Sequence, residues 1–281
     1  MANIEQLEQI AKQVRRDIIR MIHDAKSGHP GGSLGCADLL TALFFHFLDI
    51  NPTKFTQEGA NEDMFFLSNG HISPLLYSVM ARRGYFPIDE LATFRKLNSR
   101  LQGHPTAVKG LPGIRASSGS LGQGLSVSIG AAIAKKNNKD TKLIYTLVGD
   151  GELQEGQNWE AIMFAGANKI DNLIAIVDYN KKQIDGSTDD VLSLGDLKAK
   201  FEAFDWKVIE MDGNNMKELL RGLERAKELT GKQSPVLILM KTEMGMGVDF
   251  MIGTHKWHGT PPNDEQFKIA LSQLPETLGD Y

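Results

Sequence analysis

The sequence predicts an α/β fold, a mostly parallel sheet with helices on both faces, and three features carry that prediction. Short apolar runs of strand length alternate with segments of helical periodicity, from Met64 to Met240. Two of those runs, Leu143–Val148 and Leu173–Val177, break into Gly149-Asp150-Gly151 and Asp178-Tyr179-Asn180. Parallel sheets bind ligands outside the carboxyl ends of their strands, and both breaks fall there. No internal repeat, low-complexity tract or linker interrupts the pattern, so residues 1–281 read as one domain.

The elements follow in order. Apolar residues at 4, 7, 10, 14, 18, 19, 22 and 25 give a first helix over Ile4–Lys26. Ser27-Gly28-His29-Pro30-Gly31-Gly32-Ser33 stops it and predicts a constrained loop with its backbone exposed on both sides. A helix over Ala37–Leu48 is hydrophobic on nearly all sides, which implies deep burial or a subunit contact. Met64–Leu67 reads as a short strand ending in Ser68-Asn69-Gly70-His71. Pro74–Arg83 reads as a helix with proline in its first turn, and Pro87–Leu97 as another. Gln102-Gly103-His104-Pro105 is a further loop. The small-residue loop Ala116–Gly124 opens onto a helix to Lys136, whose N-terminus favours an anion. Strand 142–148, helix 153–168 and strand 172–178 come next. A polar loop, a helix near 195–203, strand Trp206–Met211, helix 215–229 and strand Pro235–Met240 complete the alternation. A glycine- and histidine-bearing tail then leads to a short helix from Asn263.

Composition bounds the function. The chain is 41% hydrophobic and 23% charged, with a net charge of −4 and no basic run, which speaks against nucleic acid. No window reaches the roughly 18 unbroken apolar residues of a membrane span. The N-terminus carries acidic residues and no apolar core, unlike a signal peptide. One cysteine, Cys36, excludes an intrachain disulfide and a multi-cysteine metal site, and reads as a small buried residue. The expectation is a cytoplasmic protein.

The chemistry-bearing residues sit in the breaks. Asp150 offers a carboxylate and Asn180 an amide oxygen, hard donors suited to Mg²⁺ or Ca²⁺. Such an ion fills its other positions with phosphate and water, and Gly149 and Gly151 keep side chains away from a diphosphate. His29, His71, His104 and His258 all lie in glycine- or proline-rich loops, where neutral imidazoles can donate to oxygens and move protons. They lack the close spacing of a zinc site. His23 and His46 fall in helices and read as structural; His255 stays undecided.

Taken in order, Ser27-Gly28-His29-Pro30-Gly31, Ser68-Asn69-Gly70-His71, Gly103-His104-Pro105, Ser118–Gly124, Gly149-Asp150-Gly151…Asn180 and Trp257-His258-Gly259 resemble the diphosphate-binding, N-terminal domain of the transketolase family. The resemblance spans nearly the whole chain. It implies that Asp150, Asn180 and the backbone carbonyl of Lys182 hold Mg²⁺ or Ca²⁺, with Gly149 and Gly151 at the diphosphate of thiamine diphosphate. It places His71 and His258 near the diphosphate and thiazolium, and Gly119 and Leu121 along the aminopyrimidine and thiazolium. His29, His104 and His258 are the implied catalytic histidines at the donor sugar's hydroxyls. Glu155 and Glu160 match acidic residues at the dimer interface between two cofactor sites, and as solvated or capping carboxylates they have a structural reading too.

Two departures stand out. The motif usually ends in paired asparagines or Asn-Gly, and here Lys181 follows Asn180. Full transketolases also continue past the length of this chain, with the domains that supply the glutamate activating the cofactor. The resemblance therefore implies one half of a split enzyme that needs a separate C-terminal subunit, in an α2β2 assembly, and transfers a two-carbon ketol unit from a ketose or ketose phosphate to an aldehyde. The alternatives are the α subunit of a 2-oxo acid dehydrogenase, the synthase of deoxyxylulose phosphate and a catalytically silent cofactor-binding subunit. Pentose phosphates, sulfonated sugars and branched sugars all remain open as donors.

Overall fold

The computed structural model describes residues 2–281. Helix α1 (Ile4–Ala25) opens on a reciprocal cap, in which Asn3 accepts from the Gln6 N–H and the Gln6 side chain accepts from the Asn3 N–H. Its stripe of Leu7, Val14, Ile18, Ile19 and Ile22 is wholly buried, each side chain contributing about 1.5–3 kcal/mol. Helices α2 (Pro30–Gly35) and α3 (Ala37–Ala42) follow, and α3 passes into a π-helical turn at Leu43–Phe47. The expected open loop over 27–33 is therefore corrected: from Pro30 onward it is buried helix. Proline suits the first helical position. Gly31 is there for closeness, since a Cβ on it would stand 2.6 Å from the Met244 side chain.

Strand β1 (Met64–Leu67) and helix α4 (Ser73–Arg83) form as expected, α4 ending on left-handed Gly84. The helix expected over Pro87–Leu97 does not form. A 3-10 turn covers Ile88–Thr93, after which Arg95 turns to a φ of 58° and Leu97 is 93% exposed. Leu91 and Phe94 alone anchor that stretch, too few for a helical stripe. Helix α5 (Gly124–Asn137), strand β2 (Ile144–Gly149), a 3-10 turn at Gly151–Gln154, helix α6 (Gly156–Ala167) and strand β3 (Leu173–Tyr179) come next. The polar loop beyond holds a small hairpin, β4 (Lys182–Gln183) with β5 (Gly186–Ser187), and helix α7 (Thr188–Leu192). Helix α8 (Leu197–Ala203), strand β6 (Lys207–Asp212), helix α9 (Met216–Leu229), strand β7 (Val236–Lys241) and helix α10 (Asp264–Gln273) finish the chain.

The five long strands make one parallel sheet in the order β1-β2-β3-β7-β6. Strand periodicity splits its side chains between two cores. Tyr145, Leu147, Ile174, Ile176 and Ile238 pack with α1, α3, α4 and α9, while Ile144, Val148, Ala175, Val177 and Leu237 pack with α5, α6 and α8. The chain moves outward through β1, β2 and β3, jumps to the edge at β6 and returns to β7. Right-handed crossovers running in opposite directions need opposite faces, so α6 and α9 lie on different sides. The reversal falls between β3 and β7, where a ligand cleft is expected.

Residues read as structural are so placed. Cys36 is buried. His23 stacks on Phe267 with centroids 3.9 Å apart and its Nε2 lies 2.9 Å from Asp264, tying α1 to α10. His46 Nδ1 meets the Ala2 carbonyl at 2.9 Å. No helix among the described residues is long and apolar enough to cross a membrane.

Candidate functional site

Outside the ends of β2, β3 and β7 lies a cleft of about 280 Å³. It is lined by His29, His71, His104, His258, Gly119, Leu121, Gly149, Asp150, Gly151, Asn180 and Lys182, so residues scattered over the chain meet in one place. Glu155 and Glu160 do not line it. Both are exposed, Glu155 at the start of α6 beside Gly122 and Glu160 one turn further along.

One end of the cleft is anionic. Asp150, 2% exposed, accepts from the Gly151 N–H at 2.7 Å and from the Lys181 N–H at 2.5 Å. Asn180 donates its amide N–H to Asp178 at 2.9 Å, while its Oδ1 accepts from the Lys182 N–H at 2.9 Å and keeps a second lone pair. Asp178 is 3% exposed and also accepts from the Thr242 hydroxyl. Burial pushes both carboxyls upward, Asp150 to about 8, with the Asp178 charge as its second cause. Among the described residues neither carboxyl is in a salt bridge, and the neighbouring Lys182 ammonium pairs with Glu243 at 3.2 Å instead. The Lys181 ammonium lies 5.5 Å over the Tyr179 ring, exposed and outside the cleft lining.

Two buried carboxylates short of a counter-charge, beside an amide oxygen, fit a hard divalent cation. No group of three or more His, Cys, Asp or Glu is arranged to hold a metal among the described residues, so an all-side-chain cage is not what this end offers. A site of this kind completes its shell with backbone carbonyl, phosphate and water. Gly151 permits the close approach of the Gln183 segment, since a Cβ there would come 2.9 Å from the Gln183 Cβ.

The other end is a bed of imidazoles. Ring centroids lie 5.0 Å apart for His29 and His71, 5.1 Å for His71 and His258, and 5.7 Å for His29 and His258. His104 closes the group and abuts Gly119. Burial holds all four below the ordinary histidine range, His29 at about 4. They are neutral at pH 7, each with one donor and one acceptor nitrogen. The Nδ1 atoms of His29 and His258 and the Oδ1 of Asn69 are buried with no partner. Such atoms on a cleft wall are what a polar ligand would satisfy.

Sequence reasoning missed several cleft residues. Asp178, Glu152, Gln183, Ile184 and Met244 all line it. Asp178, in β3, stands two residues before Asn180, just past the strand's end, and their side chains meet at 2.9 Å; that spacing is a signal in the sequence. Arg95, outside the lining, was missed too: it donates to the Ser27 hydroxyl at 3.0 Å, and its charge adds to burial in lowering His29 and His104. Nothing local in the sequence marks Glu152, Gln183 or Met244.

Fold and cleft define a class: a parallel α/β domain whose strand-end cleft joins a buried aspartate and asparagine to neutral histidines. Residues 6–275 match the family model described as transketolase, thiamine diphosphate binding domain, and the chain belongs to that family. It is 38% identical over 275 residues to one of the subunits of the apulose-4-phosphate transketolase of Phocaeicola vulgatus, covering 98% of this chain and 96% of that protein. It is 39% identical over 268 residues to the 6-deoxy-6-sulfo-D-fructose transketolase subunit SqwG of a Clostridium species, covering 95% and 96%. The crystal structure of transketolase from Campylobacter jejuni superposes with a TM-score of 0.89 at 36% identity, over 97% of this chain but 43% of that one. The chain thus spans nearly the full length of the subunits it resembles and under half of the single-chain enzyme.

Proposed function

We propose that this chain is the cofactor-binding subunit of a two-chain transketolase, which moves a two-carbon ketol unit from a ketose or ketose phosphate to an aldehyde. The observation that carries the reading is the joint presence, in one cleft, of the Asp150–Asn180 end and the four neutral histidines. Two relatives matched over 96% of their own length are themselves named as transketolase subunits, which supports a separate partner; the assembly we propose with it is α2β2.

Asp150, Asn180 and the Lys182 carbonyl would hold Mg²⁺ or Ca²⁺ against a diphosphate lying beside Gly149 and Gly151. When bound, thiamine diphosphate supplies the electron sink for carbon–carbon cleavage. His71, His258, Gly119 and Leu121 orient the cofactor. His29, His104 and His258 hold the donor's hydroxyls and pass protons, a task for which their neutral state leaves an acceptor nitrogen free. Residues 1–281 act as one unit, with Glu155 and Glu160 facing a neighbouring subunit, in the cytoplasm. The sugars in the relatives' names, apulose 4-phosphate and 6-deoxy-6-sulfo-D-fructose, join pentose phosphates as the donor panel to try.

The test is reconstitution with the separately encoded partner, thiamine diphosphate and Mg²⁺. Ketol transfer from at least one of these donors is expected from the mixture and none from the rigorously purified chain. Full turnover by the chain alone, or pyruvate decarboxylation without sugar turnover, contradicts the proposal.

A further inference from the structure

We infer that Glu152 is a positioning residue of the cleft: its carboxylate sets the Gly119–Gly124 loop in register with the ends of β1 and β2. The three segments it joins are three different walls of the cleft. One carboxylate oxygen accepts from the Gly122 N–H at 2.8 Å and from the Ser68 hydroxyl, just past β1. The other accepts from the Gly149 N–H at 3.0 Å, at the end of β2. Ser68 passes the contact on, because its Oγ accepts from the Gly124 N–H at 3.1 Å. The Glu152 backbone is held in turn, its carbonyl accepting from the Asn158 amide at 2.7 Å.

Glu152 is 2% exposed and lines the cleft. All its carboxylate partners are N–H or O–H donors, so its two oxygens act as acceptors toward all three segments. A buried carboxyl is costly unless its oxygens are hydrogen-bonded, and the Gly122, Ser68 and Gly149 donors meet that need here. The pinned loop carries Gly119 and Leu121, which line the same cleft as Asp150 and Asn180. Glu152 thereby sets the distance between the wall that meets the cofactor's rings and the wall that meets its diphosphate. The ring and diphosphate assignments rest on the proposed function; the loop contact does not.

Two measurements on the full chain test this, on Glu152→Gln and Ser68→Ala. The glutamine keeps size but turns an N–H₂ toward one of the donors. Hydrogen exchange by mass spectrometry is expected to speed up in segment 119–124 on the order of tenfold or more for E152Q, and about fivefold for S68A, with strand β3 unchanged. Calorimetry with Mg²⁺ on the complex with its partner is expected to show the Kd for thiamine diphosphate rising roughly tenfold in E152Q. The Kd for inorganic pyrophosphate, which probes the metal end, is expected to rise clearly less, because only the Gly149 contact of Glu152 reaches that end. Unchanged loop exchange, or a speed-up spread evenly over the chain with a matching fall in melting temperature, overturns the inference. Equal losses for both ligands overturn its cofactor half. If the wild-type complex binds pyrophosphate with Mg²⁺ but never thiamine diphosphate, the proposed function fails, while the loop exchange still decides what Glu152 does.

Discussion

Two buried aspartates, Asp17 and Asp150, sit in the same molecule under opposite regimes. Asp17 on α1 accepts from Arg82 Nε at 2.5 Å, from Arg82 Nη2 at 2.8 Å and from Ser78 at 2.7 Å, and so fastens α1 to α4. Nearby, Arg15 and Asp38 meet at 2.6 Å. Charge on that side is neutralised within the chain. Asp150 instead faces Asp178 across the end of β3, with backbone N–H groups for company and its proton held up to about pH 8. The difference separates scaffold from site. Where the fold needs a buried charge it supplies the partner, and where it withholds one a ligand is expected to bring it.

Removing each aspartate gives the largest contrast. Asp17→Asn leaves Arg82 buried and unpaired, and is expected to cost about 3–5 kcal/mol in denaturant unfolding. Asp150→Asn is expected to leave metal-free stability unchanged or raised, while metal-dependent cofactor binding falls on the order of a hundredfold or more. A stability loss for Asp150→Asn matching that of Asp17→Asn would erase the distinction.

Adding the missing charge comes next. Mg²⁺ with thiamine diphosphate at about a hundred times Kd is expected to stabilise the wild type by about 2.7 kcal/mol, reversibly with a chelator, and Asp150→Asn hardly at all. An equal gain in both proteins would place the ion elsewhere.

The histidine end responds to acid. Its His29 has a folded value of about 4 against an ordinary 6.5, because burial disfavours the charged ring and His258 adds to that. The unfolded chain takes up that proton first. His29's contribution is thus complete above about pH 6.5 and lost as pH falls toward 4. Thermal melts across that window are expected to drop less steeply for His29→Gln than for the wild type. Identical slopes would show that His29 is not held neutral by burial.

The smallest effect concerns Lys181. Its ammonium lies over Tyr179 and away from the cleft, so Lys181→Ala is expected to leave Mg²⁺ affinity within about a factor of two. A tenfold gain would mean the cation opposes the metal after all.

The same division governs what the sequence makes legible. Ile144–Val148 and Leu173–Val177 announce themselves because strands buried on both faces are apolar throughout. Histidines beside glycine and proline are visible as loop histidines, and all four reach the cleft. Reading fails where glycine serves contact rather than turning. Gly31 and Gly35 lie in buried α2, pressed on Met244 and the Glu243 carbonyl, and local chemistry alone makes that segment look like loop. The β4–β5 hairpin is two residues a side, too short for any periodicity. Glu152 escapes notice for another reason: in sequence it is one acidic residue after a turn, and only the meeting of Ser68, Gly122 and Gly149 gives it a task.

Whether Asp150 awaits a cation is decided by calorimetric titration of thiamine diphosphate into the complex of this chain with its partner, with and without Mg²⁺. Saturable binding that needs the divalent ion and disappears in Asp150→Asn is expected. Binding of equal strength without the ion, or binding untouched by Asp150→Asn, would contradict the assignment of this end of the cleft to a metal and a diphosphate.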